Sequence, residues 1–134
     1  MKITSLEPQS KIATELNVQL NKEWTEIGSF EKEMYGISIP NPIGVLIDGV
    51  IIGGLSFTNY RAPISEEIVV WVNAVLVQPS YRHRGIASKL LVAAQSTAHK
   101  LFALTDIPEL YTKLGWQIVS HESDGTIVKY EKFT

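Results

Sequence analysis

The stretch VQPSYRHRGIASKLL, Val77 to Leu91, places Arg82, His83 and Arg84 in a row, follows them with Gly85, and then starts an apolar repeat at helical spacing. Cationic side chains and a glycine at the start of a helix suit an anion. The first amides of a helix have no intrahelical acceptor, and the macrodipole adds positive potential there. Glycine costs ~1 kcal/mol relative to alanine inside a helix, so its presence is useful where a ligand must approach the backbone. An isolated RHRG run is better explained by solvated charges and relief of a tight turn. Its context favours the anion: a long apolar run and QPSY precede it, and an amphipathic repeat follows. Twelve Lys and Arg against fourteen Asp and Glu give a formal net charge of −2, so any attraction is local. A three-residue basic patch on a net acidic chain predicts no nucleic-acid partner.

The elements that position this turn follow from periodicity. IVVWVNAVLV, Ile68 to Val77, is apolar except for Asn73, which predicts a central strand buried on both faces. From about Arg84 to Lys100, Ile86, Leu90, Ala94 and Ala98 recur at fours, widened by Ala87 and Leu91, which predicts a helix packed on the sheet. Upstream, SKIATELNVQLNKEW places Ile12, Leu16, Leu20 and Trp24 on one helix face with Ser10 as its cap. SFEKEMY is placed as a second, short helix, and IPNPIG breaks the chain. IGVLIDGVIIGGLSF reads as a hairpin turning at Asp48-Gly49, and NYRAPISEE as a loop. LFALT is a short buried strand. DIPELYTKLGW is a short helix with Asp106 as cap and Gly115 as stop. WQIVSHESDGTIVKYEKF is a hairpin around Asp124-Gly125, with Ile118 opposite the Ile127 to Tyr130 region. The order α, α, β, β, β, α, β, α, β, β predicts a mixed sheet with helices on its faces.

The 134 residues, 45% hydrophobic and 19% charged, predict one globular domain over 1–134. With no cysteine, disulfide frameworks and thiolate metal sites are excluded, and a reducing cytosol fits. MKITSLEPQSK lacks the apolar run of a signal peptide, and no apolar segment of ~18 residues occurs. A cytoplasmic protein without a membrane partner is expected. His83, His99 and His121 lack metal-site spacing, so no metal is expected.

VQPSYRHRGIASKLL resembles the acetyl-CoA-binding motif of the GNAT superfamily of N-acetyltransferases, Q/R-x-x-G-x-G/A after a valine-x-proline strand end. Arg82, Gly85 and Ala87 fill its three places, and ELYTKLGW resembles the family's Y-x-x-x-G-F/W segment. The resemblance covers essentially the whole chain. It implies an α/β (α+β) fold: a mixed, mostly antiparallel central sheet flanked by helices, with two parallel strands splayed apart. It implies acetyl-CoA as co-substrate. The amides of Arg82, His83, Arg84, Gly85, Ile86 and Ala87 would wrap its pyrophosphate, with a hydroxyl from Ser88. The strand end Ala74 to Val77 would pair with its pantetheine arm through the backbone of Val75 and Val77.

Acetyl transfer to an amine needs a neutral nucleophile, a polarised carbonyl and a proton for the departing thiolate. The resemblance implies Tyr111 as the proton donor; on spacing alone a packed aromatic explains Tyr111 equally well. Two departures stand out. The glutamate many members carry in the central strand is replaced by an apolar run holding only Asn73, leaving Glu66 and Glu67 to act through water. The asparagine seven positions before the motif tyrosine is Leu104, with Thr105 or Asp106 as substitutes. Tyr35, Phe57, Tyr60, Arg61 and His121 lie on segments that approach the acceptor. The expected activity is transfer of an acetyl group to a primary amine of a small molecule or peptide, by direct attack within a ternary complex. The alternative is a CoA-binding sensor or interaction module that has lost the chemistry. The last hairpin offers an edge for a homodimer.

Overall fold

The computed structural model describes residues 1–132. A seven-stranded sheet runs in the order β1-β4-β5-β6-β7-β9-β8. Its strands are β1 (Lys2–Ser5), β4 (Ile43–Ile47), β5 (Val50–Arg61), β6 (Ile68–Val77), β7 (Lys100–Thr105), β8 (Gln117–Glu122) and β9 (Gly125–Glu131). A small hairpin of β2 (Glu33–Met34) and β3 (Ile37–Ser38) stands beside it. All neighbours in the sheet are antiparallel except β6 and β7, which are parallel. The expected mixed sheet, its central strand and its parallel pair are present.

Helices cover both faces. α1 (Lys11–Glu23) starts at Ser10, whose hydroxyl accepts the amide of Ala13. It buries Leu16 and Leu20 against Leu46, Ile51 and Leu76, each fully buried leucine contributing roughly 1.5–3 kcal/mol. On the opposite face α2 (Ile86–Gln95) and α3 (Pro108–Thr112) close a larger core, with Leu90, Leu91 and Ala94 packed among Ile52, Leu55, Val72, Leu101 and Val128. Asp48 and Gly49 both take positive φ, 50° and 77°, the conformation a two-residue hairpin turn requires.

Several expectations are corrected. SFEKEMY is not helical: it supplies β2 and the turn residue Tyr35. Tyr35 and Gly36 both have positive φ, and the Asn59 side chain donates to the carbonyls of Met34 and Ile37 at 3.1 and 2.8 Å. That tertiary clamp decides the local conformation. β5 continues through Asn59, Tyr60 and Arg61, which the Asn, Tyr and Arg composition had marked as loop. Their pairing with Val70, Val69 and Ile68 holds them in the sheet. The four-residue β1 was not anticipated. α2 ends at Gln95, short of Lys100, because the Ser96 and Thr97 hydroxyls donate to the Ala93 and Ala94 carbonyls. Ile107, not Asp106, caps α3; the Thr105 hydroxyl accepts the Ile107 amide at 3.0 Å. The last hairpin has the expected Ile118 to Val128 pairing but turns at Ser123 and Asp124. Phe133 of the expected hairpin lies outside the described residues.

Candidate active site

β6 and β7 pair only at Val70 with Leu101 and Trp71 with Phe102. Beyond Trp71 they diverge, and the side of β6 that faced β7 loses its strand partner. The ladder with β5 is interrupted at the same level: Asn73 and Ala74 together oppose Ser56, whose hydroxyl donates to the Asn73 carbonyl. This bulge re-aims the strand end. Past it, the Gln78 amide donates to the Ile52 carbonyl. Antiparallel ladders alternate, so the peptide edges of Val77 and Val75, opposite Gly53 and Leu55, turn away from β5 and into the gap. The Arg82 Nε donates to the Val77 carbonyl at 2.8 Å, tying the basic turn to this edge.

The turn itself is built from backbone. A short 3₁₀ turn, Pro79–Tyr81, leads into Arg82. His83 and Gly85 then take left-handed conformations, φ 64° and 75°, immediately before α2. Among the described residues, the amides of residues 83 through 88 donate to no backbone or side-chain acceptor; Lys89 is the next to bond, to the Gly85 carbonyl. Alternating left-handed residues and free amides are a backbone arrangement able to receive an anion. A side-chain atom added at Gly85 meets no atom within 4 Å, so the space over the turn is open.

Both features line one cleft of about 1020 Å³. Trp71 to Val77 form one wall, and Tyr81, Arg82, His83 and Gly85 to Ser88 form the end under α2. The opposite wall comes from the end of β7 and α3: Leu104 to Ile107, Leu110 and Tyr111. Tyr111 is 6% exposed, and its ring meets Trp116 edge-on at 5.1 Å between centroids. It therefore packs on the core and lines the cleft at once. Burial pushes its hydroxyl up to about 12, against a smaller opposing pull from a hydrogen bond with Thr105. The phenol keeps its proton at neutral pH and is available as a donor.

The structure does not bring Glu66 and Glu67 to the cleft. They precede β6 at the end remote from the basic turn, and the Glu67 carboxylate pairs with Lys100 at 3.3 Å. The Arg84 guanidinium lies over the Tyr81 ring, 5.4 Å from its centroid, and Arg84 does not line the cleft. Of the aromatic and basic candidates for the acceptor side, Tyr60 lines the cleft. Phe57 is core, and Tyr35 and Arg61 are exposed outside it. His121 hydrogen-bonds Thr126 within the last hairpin. Among the described residues no three His, Asp or Glu side chains are grouped as metal ligands, and no helix is long and apolar enough to cross a membrane.

Sequence reasoning missed Glu23, Trp24 and Glu26, which line the cleft from the end of α1. Trp24 had been assigned to the core by its period of four, and the carboxylates carried no local signal.

Residues 10–117 match the model of the acetyltransferase (GNAT) family, and the chain belongs to that family. No curated protein matches it by sequence. Among solved structures it is similar over 99% of both chains to PH1933 from Pyrococcus horikoshii OT3, with TM-score 0.71 and 16% identity. It is similar to yncA of Salmonella typhimurium, a putative acetyltransferase solved with acetyl-CoA, with TM-score 0.67 and 15% identity over 98% of this chain and 93% of that one. It is also similar to Arabidopsis thaliana Naa50, solved with a bisubstrate analogue, with TM-score 0.65 and 16% identity over 98% of each chain. At these identities the likenesses establish the shared fold.

Proposed function

We propose that this chain transfers an acetyl group from acetyl-CoA to a primary amine of a small molecule or peptide, by direct attack in a ternary complex. One observation carries the reading. A receptor of free amides at residues 83 through 88 opens onto a β6 edge without a partner, with a protonated, buried tyrosine on the facing wall. These residues fit acetyl-CoA: the amides and Arg82 suit its pyrophosphate, Ser88 adds a hydroxyl, and the edges of Val75 and Val77 suit the amides of its pantetheine arm. When bound, it supplies an acyl group activated as a thioester.

The Val75 and Val77 edges would hold the pantetheine arm by its amides. The acceptor nitrogen, neutral after loss of one proton to water in the open cleft, forms the new C–N bond as the C–S bond breaks, and gives up a second proton to water to become the amide. The Tyr111 hydroxyl gives its proton to the leaving sulfur and regains one from solvent. Family membership and the acetyl-CoA and CoA-analogue complexes of the similar proteins support the donor. An amine panel assayed for CoA release, with acetyl-CoA and longer acyl-CoAs, tests the reading. Amine-dependent release with acetyl-CoA is expected. Tight acetyl-CoA binding with no release on any amine identifies a sensor instead.

A further inference from the structure

β6 runs on past the point where β7 leaves it, so the peptide groups of Val75 and Val77 that face the gap have no strand beside them. One of these groups is engaged all the same. The Arg82 Nε donates to the Val77 carbonyl at 2.8 Å. A ladder amide meets its carbonyl at about 2.9 Å, so Arg82 Nε stands where the amide nitrogen of a neighbouring strand would stand. The carbonyl has a second lone pair, but a partner that follows the edge needs the place the guanidinium fills. Among the described residues Arg82 pairs with no carboxylate. The amides without acceptors begin at the next residue, His83. An anion received by them lies beside the guanidinium and offers it a charged, two-pronged acceptor in place of a neutral carbonyl. Arg84, the other arginine of the turn, is over the Tyr81 ring and off the cleft.

Resting on the reading of acetyl-CoA as donor, we infer that Arg82 is a strap over the Val77 edge which an anion at the free amides releases, so that the site selects thioesters of CoA over thioesters of pantetheine lacking the pyrophosphate. A neutral arm arriving alone has to replace a charge-assisted hydrogen bond with a neutral one, which is the weaker of the two. With pyrophosphate at the amides, the guanidinium turns to it and leaves the Val77 carbonyl to an amide of the arm. The two halves of the donor therefore bind with positive coupling, and the coupling is reciprocal.

The test is calorimetric titration of the protein with pantetheine, alone and with saturating inorganic pyrophosphate, at an ionic strength held constant with sodium chloride. Pyrophosphate is expected to tighten pantetheine binding to the wild type at least about tenfold, the size of one charge-assisted hydrogen bond. The Arg82→Ala variant is expected to bind pantetheine alone about tenfold more tightly than the wild type does, with less than twofold added by pyrophosphate. A residue that merely supports the turn gives the opposite sign, because its loss weakens the arm. Pantetheine affinity that pyrophosphate does not change in the wild type, or that is equal, weaker or unmeasurable in Arg82→Ala, overturns the inference. Coupling without CoA release from acetyl-CoA on any amine leaves the strap standing and overturns the acetyl-transfer reading. Amine-dependent release without coupling does the reverse.

Discussion

The amino ends of α1 and α2 are chemically opposite. At α1, Ser10 supplies an oxygen to the Ala13 amide and the Thr14 amide reaches the Ser10 carbonyl. That helix end has one of its orphan amides satisfied within the chain by the preceding side chain. At α2, Gly85 has no side chain to offer, and the amides before and within the first turn are left for something else. The same four orphan donors exist at every helix start. What distinguishes a structural end from a receptor is whether the preceding residue returns an acceptor to them. Ser10 does; the left-handed Gly85 leaves the space open.

The largest expected break in this comparison is Gly85→Asn. Asparagine tolerates a positive φ better than other non-glycine residues, so the apo protein should fold, while its side chain enters the open space over the amides. Saturating acetyl-CoA should raise wild-type stability by ~2.7 kcal/mol at about a hundred times Kd, and differential scanning fluorimetry should show that rise lost. Gly85→Val should lose it too and destabilise the apo protein by about 1–2 kcal/mol, since a β-branched residue at φ 75° is strained.

Tyr111→Phe sharpens the other end of the cleft. Turnover should fall on the order of a hundredfold, the lower end for a positioned general acid because a CoA thiolate leaves readily. Acetyl-CoA affinity should hold, and so should melting near neutral pH. Turnover equal to wild type would make Tyr111 a packing residue.

The same residue predicts an alkaline limit to stability. Its hydroxyl is raised from 10.0 to about 12 by burial, so the unfolded chain ionises first as pH rises. The stabilisation is fully present below pH 10 and lost through pH 12, roughly 2–3 kcal/mol for a shift of this size. Denaturant unfolding across that window should show the loss in wild type and a smaller one in Tyr111→Phe.

Ser10→Ala should cost about 1 kcal/mol of global stability and leave acetyl-CoA binding unchanged. Loss of binding would erase the contrast between the two helix ends. Smallest of all, Glu66→Gln and Glu67→Gln should leave kcat/KM within about twofold. Glu67→Gln should cost at most the 0–1 kcal/mol of an exposed ion pair.

The residue order by itself determined the elements whose signal is local. The unalternating run Ile68 to Val77 marked the central strand, Asp48-Gly49 a tight turn, Ser10 a capped helix, and RHRG before an apolar repeat the turn into a helix. Each rests on backbone preferences or periodicity within a few residues. Tertiary structure alone decided the elements whose partners are distant. Asn59 folds the Glu33 to Ser38 segment into a hairpin from more than twenty residues away, and pairing with β6 converts Asn59 to Arg61 from loop to strand. The composition of the cleft is also a tertiary result. Glu66 and Glu67 adjoin the central strand in sequence yet fall at its far end, whereas Glu23 and Glu26 line the cleft from the end of α1, which packs on Leu46, Ile51 and Leu76. A carboxylate's distance from a reacting centre depends on how helices dock on a sheet, and no spacing along the chain encodes it.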